Sequence, residues 1–538
     1  MGSEVLYNGI RLPKTWPPRE VVAPGDDDPM PVPYLAAPPS VIRIDRGRQL
    51  FVDDFLIAKS TLTRTWHRAQ KWPGNPVMAP QTELERGHGL PAAVPKSGGI
   101  WWDPFTGHYR MWYDAGWSHK YAHATSRDGL HWERRGPAGA STNHILPGLV
   151  TNSSTAFIDP YDGDAARRYK MFVRQPDQDE ESLPGGWAAT GGRRRAYVLS
   201  SADGLHWSDP VPTTPVGDRS TIFYNPFRRK WVHSIRSYHF GTPFRRIRNY
   251  RECDDLMGEP IWNQEQERFW IRADREDAPD PELQVAPQLY NLDAVGYESL
   301  MLGIFEIHLG PDNDVCAQGG FPKTIDLKLG FSRDGFHWHR PDRRGFIAST
   351  RQEGDWDRGY VQSVGGCCLV RGDELLFYYT GFRGDPTRTS EKETWDCGMY
   401  SHASTGLATL RRDGFASLDA TATMGTVITR PVTFGGSYIF VNADCSDGEM
   451  RVEVLDEAGK VLDGFGAEAC YPIRTDTCKY RVAWRETADL ADLCGQPVRF
   501  RFQIRNGSLY SFWVSAKETG ESGGFLAAGS PESGLVDD

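Results

Sequence analysis

A chain of 538 residues is longer than one ordinary core can fill, so two or more domains are expected. A formal net charge of −10 argues against nucleic acid as a partner, since phosphate backbones need a basic face. No run approaches the roughly eighteen apolar residues of a membrane span, and 18 Trp and 21 Tyr suit a strand-rich globular chain.

The N-terminus, MGSEVLYNGIRLPKTWPPREVV, has no basic start followed by an apolar stretch, so no signal peptide is read there. Nine cysteines, an odd number without framework spacing, point to reduced thiols and a cytoplasmic chain, although a trimmed export signal would leave the same sequence. Residues 1–84 read as one segment. A Pro-rich stretch over 11–45 should wrap the surface as extended chain, and RQLFVDDFLIAKSTLTRTWHRA follows as a strand-turn-strand with Asp53 and Asp54 in the turn.

Residues 85–418 are repetitive. SRDGLHW, SSADGLHW and FSRDGFHW place Asp128, Asp203 and Asp334 in one polar turn, and RRDGFAS adds a degenerate copy at Asp413. Asp can hydrogen-bond its own turn, Gly accepts positive φ, and Trp covers the junction. The spacing between Asp203 and Asp334 is nearly double the others, and NYRECDDLMGEPIW supplies a hidden copy near Asp255. A second signal, an apolar strand, a turn and an aromatic strand, recurs in phase with it: GGIWWDPFTGHYRMWYDAG, STAFIDPYDGDAARRYKMFVR and STIFYNPFRRKWVHSIR. Looser copies are LYNLDAVGYESLMLGIFEIH and VGGCCLVRGDELLFYYTGF. Two signals in phase predict an all-β fold with a five-bladed β-propeller. Asp103-Pro104, Asp159-Pro160 and Asn225-Pro226 share one turn position, and the Asp-Gly turns are scaffold.

Beyond this region SYIFVNAD, EMRVEVLDEAGKVLDGF, KYRVAWRE and PVRFRFQIRNGSLYSFWVS alternate with period two, predicting a C-terminal β-sandwich over 419–516. Residues 517–538 read as a flexible tail.

With these motifs in place, the chain resembles the five-bladed glycosidase superfamily that includes the family 32 fructosidases and family 43 arabinanases. LFVDDFLI, NPVMAP, SGGIWWDP, DRSTIFYNPFRRKWV, SRDGFHWHRP and LATLRRDGFASL are similar to bacterial proteins labelled family-32-like. The resemblance implies carboxylates at the starts of inner strands, lining a funnel at the propeller axis. The family 32 motifs Asn-Asp-Pro-Asn-Gly and Arg-Asp-Pro are absent.

Aligning the repeats puts Lys96, Asn152, Asp218 and Gln362 at equivalent strand starts, with Asp218 the one carboxylate. Glycoside cleavage needs two carboxylates, one on each side of the bond. Beside Asp218 the candidate catalytic carboxylates are Glu298 and Asp293, acids within the apolar stretch LYNLDAVGYESLML that read equally as paired structural carboxylates, and Asp54, which reads as a turn residue or as an acid at the funnel mouth. Lys96, Asn152, His88, Arg236, Tyr290, Trp356, Asp357 and Gln362 are the candidate substrate contacts. Arg236 belongs to a basic cluster with Arg245, Arg246 and Arg248 that either holds an anionic sugar or pairs with surface carboxylates.

The reading is a glycoside hydrolase acting on a furanoside or related small glycoside, without cofactor and without a metal-ligand set. A structural calcium ion is left open, but no calcium loop of recognisable spacing appears. The partner is a carbohydrate, with neither nucleic acid nor membrane, and a homo-oligomer is left open. Two alternatives stand beside it: a non-catalytic carbohydrate-binding propeller, and a glycoside phosphorylase in which Lys96 and the arginines bind phosphate.

Overall fold

A computed structural model describes residues 4–19, 22–175, 192–394, 396–487 and 489–538. Strands dominate it, arranged mostly as antiparallel meanders. The first sheet holds Ala93–Val94, Ile100–Asp103, His108–Ala115 and Lys120–Ser126. A second runs Ser153–Ile158, Tyr169–Arg174, Ala196–Ser201 and Val211–Pro212. A third runs Thr221–Asn225, Lys230–His239, Arg245–Cys253 and Arg268–Arg272. Two further meanders, Gln288–Glu298 to Thr324–Ser332 and Tyr360–Gln362 to Ala403–Arg411, merge into one larger sheet through a parallel contact of Ile325 with Tyr360.

The leading strands of these meanders touch in a closed circuit. Trp101 Nε1 donates to the carbonyl of Ala156, and Arg219 N to Ser153 Oγ. Thr221 Oγ1 donates to the carbonyl of Leu292, Ser363 N to Glu306 Oε1, and Ile100 N to the carbonyl of Gly365. Residues Gln70–Lys71 complete the last meander by pairing with Ala408 and Thr409, so a segment from before the repeats closes the circuit.

The repeated turn is built as its sequence suggests. In each of the three full copies one aspartate oxygen accepts from two backbone amides and the other meets the histidine Nδ1 at 2.7 Å, as for Asp128 with His131, Asp203 with His206 and Asp334 with His337. These turns also join neighbouring meanders: Tyr378 OH donates to the carbonyl of Gly129, Trp112 Nε1 to that of Gly204, and Trp270 Nε1 to that of Phe336. The degenerate copy differs. Asp413 is buried and accepts from Tyr297, Ser511 and Arg48.

Two more sheets share a separate core. One runs Asp476–Arg481, Tyr438–Asp444, Gly507–Ser515, Ala416–Ala420 and Thr63–Trp66, and the other Glu449–Leu455, Arg499–Arg505, Gly425–Thr429 and Ile57–Ser60. The hairpin expected in the N-terminal segment is thus split between the two, where Phe51 stacks on Phe512. The Pro-rich stretch runs over the third and fourth meanders, with Tyr34 donating to the carbonyl of His337 and Arg272 donating to the carbonyl of Asp28.

The C-terminal expectation needs correcting. Residues 517–538 include the strands Phe525–Ser530 and Gly534–Val536, and Leu526 pairs with Tyr297 while Ala528 N donates to the carbonyl of Cys368. Phe525, Leu526 and Ala528 are buried, so the apolar content of GGFLAAG has a docking face that a composition dominated by Gly, Ser and acids hid. Phe525, Ala527 and Leu535 line a small apolar cavity together with Trp101, Phe157, Tyr224 and Val295, so this end is walled by apolar side chains.

Eight of the nine cysteines are buried free thiols, and burial pushes the adjacent Cys367 and Cys368 well above the usual thiol range, as expected of inert core residues. Among the described residues no helix is long and apolar enough to cross a membrane, and no three His, Cys, Asp or Glu side chains gather as for a metal.

Candidate active site at the Asp218 end

The other end of the circuit is charged. Asp218 immediately precedes Arg219, which takes φ +56, and Ser220; this turn feeds the innermost strand of the third sheet. Its side chain is 24 % exposed. Arg236 Nη1 donates to Oδ2 at 3.1 Å, Asn152 Nδ2 to Oδ1 at 3.2 Å, and Arg174 Nη1 lies 4.0 Å from Oδ1. Burial alone would raise this carboxyl. Arg236, Arg174, Arg219 and Lys323 more than offset it and hold the group at about 2, well below the usual carboxylate range. Asp218 is therefore ionised at any ordinary pH.

Lys96 sits in a tight bend of the first leading strand. Its ammonium lies 2.6 Å from Asp114 Oδ2, donates to the carbonyl of Asn152 at 3.0 Å, and stands 3.7 Å over the Trp117 ring. It is almost wholly buried and already neutralised, so its first effect is to carry Asn152 toward Asp218. Arg236 lies 4.9 Å over the ring of Tyr290 and donates to Tyr238 OH. Gln362 Nε2 donates to Tyr360 OH at 2.7 Å, and the Tyr360 ring meets Tyr290 edge to face at 5.9 Å. Asn152, Lys96, Arg236, Tyr290 and Gln362 are thus linked to Asp218 through this network.

Asp293 lies deeper. Its Oδ2 accepts from Ser97, Asn291 and Ser363, and Ser363 Oγ also lies 2.9 Å from Glu306 Oε1. A hydroxyl has one proton, so both Ser363 contacts become hydrogen bonds when one of the two carboxyl groups is protonated. Burial and Asp293 push Glu306 up, although Arg219 binds it at 2.8 Å. Glu306 was absent from the sequence reading because GIFEIH looks like plain strand. The alternation that puts Phe305 and Ile307 in the core turns Glu306 toward Arg219, which is the signal that could have found it.

The other candidates lie elsewhere. Glu298 ends the eleven-residue strand Gln288–Glu298 that begins near Tyr290, and eight residues of extended chain place it about 26 Å away. There it binds Arg48, Arg412 and Ser522 and is fully buried, which corrects the expectation that it faces the same site. Asp54 is 73 % exposed and pairs with Arg64 between strands of the separate two-sheet core. Asp357 accepts from Lys71 and Tyr379, and Trp356 packs 5.4 Å from Tyr379 over Gly381 and Gly406, where any Cβ would strike its ring. These two residues secure ring closure by the N-terminal segment, away from Asp218. His88 belongs to the short turn Gly87–Gly89, and its side chain lies outside the described residues.

Lys323 was also missed. It stands between the rings of Tyr290, Tyr360 and Tyr400, 5.1, 5.1 and 5.6 Å from their centroids, and Tyr400 stacks on Trp117 at 4.6 Å. The result is one partly exposed carboxylate inside a wall of buried cations and aromatic rings.

No family model and no curated protein matches the chain. Among solved structures it is similar to an N-acetylgalactosamine deacetylase from F. plautii in complex with blood group B trisaccharide, at 16 % identity over 66 % of this chain and 96 % of that one, with a TM-score of 0.43. It is also similar to a structure from the family 130 mannoside phosphorylases, described as containing glycoside hydrolases that target β-1,2 mannosidic linkages in Candida mannan, at 11 % identity over 64 % and 94 % with a TM-score of 0.38. A Bombyx mori family 32 β-fructofuranosidase matches at 10 % identity over 84 % and 94 %, with a TM-score of 0.33.

Proposed function

We propose that this chain cleaves a glycoside at the Asp218 end of a five-bladed β-propeller, to which the separate two-sheet core is joined as a β-sandwich. The observation that supports this reading is Asp218 itself: a carboxylate ahead of the leading strand of the third sheet, partly open to solvent, hydrogen-bonded by Asn152 and held ionised by Arg236, Arg174, Arg219 and Lys323. An ionised carboxylate so placed can act as nucleophile, or as the base that activates water. Tyr238, half-buried beside Arg236, offers a ring edge and hydroxyl of the kind that hold a sugar. In this reading Asp293, sharing Ser363 with Glu306, belongs to the carboxyl pair that supplies the leaving group's proton, and the substrate is a furanoside or related small glycoside.

The test is turnover of a panel of aryl furanosides, aryl pyranosides and oligosaccharides by wild type and by Asp218→Asn. Loss of turnover by about a thousandfold or more, with Tm nearly unchanged, is the expected result. Retained turnover overturns the assignment of Asp218. If wild type binds oligosaccharides but turns over none of the panel, the non-catalytic alternative replaces it.

A further inference from the structure

Near Asp218, Lys323, Arg246 and Arg248 have no carboxylate partner among the described residues. Lys323 is 1 % exposed, and among the described residues no carboxylate lies within ion-pair distance of its ammonium, which is surrounded by the three tyrosine rings. Arg248, fully buried, donates to Ser234 Oγ and to the carbonyl of Arg219 and meets no carboxylate among the described residues. Burial and Arg236 lower the Arg246 guanidinium from its ordinary range, and it too has no ion-pair partner among the described residues. Arg236 is paired with Asp218 at 3.1 Å.

Tyrosine faces replace part of an ammonium's lost hydration but bring no negative charge. A buried cation without a counter-charge is costly, and Lys323 and Arg248 are such cations among the described residues, in a chain whose net charge is −10. Packing needs alone would be met by an apolar residue at position 323.

We propose that the site binds an oxyanion, a carboxylate, sulfate or phosphate group, at Lys323, with Arg236 and Arg246 beside it. This deepens the glycoside reading and rests on it for the rest of the ligand, but the binding itself does not depend on turnover. The oxyanion has two sources. It is either a substituent of the sugar or free phosphate acting in place of water. In the second case a phosphate oxygen bonds to the anomeric carbon as the glycosidic C–O bond breaks. The proton of hydrogen phosphate passes to the leaving oxygen, giving a glycosyl phosphate and an alcohol.

Calorimetric titration of the full chain with inorganic phosphate, sulfate, galacturonate and neutral galactose tests the proposal. At least one of the three anions should bind more tightly than galactose. Lys323→Gln should weaken that anion about tenfold or more, Lys323→Arg should largely restore it, and Asp218→Asn, which removes a negative charge, should tighten it. Arg246→Gln, at a half-buried position, reads the same effect if Lys323→Gln does not fold. Absence of anion binding, or equal affinity in folded Lys323→Gln and wild type, overturns the proposal. Turnover of a uronide or sulfated glycoside without phosphate identifies the sugar as the source, and turnover that requires phosphate identifies free phosphate. Anion binding without any glycoside turnover sinks the glycoside reading and leaves this one standing.

Discussion

Arg48 stands between Glu298 and Asp413, with Nε 3.5 Å from Glu298 Oε1 and Nη1 donating to Asp413 Oδ2 at 3.1 Å. Its guanidinium also lies 4.1 Å over the Trp513 ring of the two-sheet core, and Ser522 donates to the other Glu298 oxygen. One node therefore joins the N-terminal segment, the repeats, the second core and the C-terminal strand. Gly47 at φ +71 is required there, because a Cβ would strike the backbone of Glu298 at 2.4 Å.

Removing one member of a buried ion network leaves its partners uncompensated. Glu298→Ala should cost about 3–5 kcal/mol, seen as a lower midpoint in urea. KM for any substrate found should stay unchanged below the transition. A selective loss of turnover in stable protein would return Glu298 to the catalytic candidates.

The same turn at different exposure gives a clean comparison. Asp334→Ala removes acceptors from two backbone amides and His337 in a buried setting, and should cost about 2–3 kcal/mol. Asp128→Ala removes the same contacts where the aspartate is 49 % exposed, and should cost below about 1 kcal/mol because water takes over the freed donors. Equal losses would show that burial does not set the strength of this motif.

The C-terminal strand carries a packing prediction. Leu526 is 1 % exposed, and Leu526→Ala should destabilise by about 2–4 kcal/mol in thermal or urea unfolding. A variant as stable as wild type would mean that this segment is not docked in solution.

The pH dependence follows from Asp218. Its folded pKa, about 2, is depressed, so its stabilising contribution is present above the unfolded carboxylate value of about 3.9 and is lost as pH falls toward 2. The kcat/KM profile should show no acid limb from Asp218 above about pH 4. Arg236→Gln removes the foremost lowering charge, and should raise the limb into the measurable range. An unchanged profile in that variant would separate Asp218 from the rate.

The repeat architecture was readable because Ser-x-Asp-Gly-x-His-Trp is local chemistry: each turn closes on its own backbone, whatever surrounds it. Asp218 and Asn152 were reachable because alignment of the repeats puts them at equivalent strand starts. Lys323 and Glu306 were not, since each acquires its role from residues far away in sequence. Lys323 follows Phe321-Pro322 in a loop, and only the fold brings Tyr290, Tyr360 and Tyr400 around it. Glu298 misled for the same reason: an acid in an apolar run signals a buried partner, and the sequence does not say whether that partner is a substrate or Arg48.

Pairing of Gln70–Lys71 with Thr409 and Ala408, and of Leu526 with Tyr297, has a consequence for biosynthesis. On the ribosome, residues 70–71 emerge long before the strand they complete, and the apolar interior around Trp101 and Val295 stays open until residues 525–536 arrive. The nascent chain must therefore carry an unfinished edge from residue 71 until residue 409 is made, and an uncovered apolar surface until residues 525–536 are made, so the repeats cannot reach their native packing before that strand has left the ribosome.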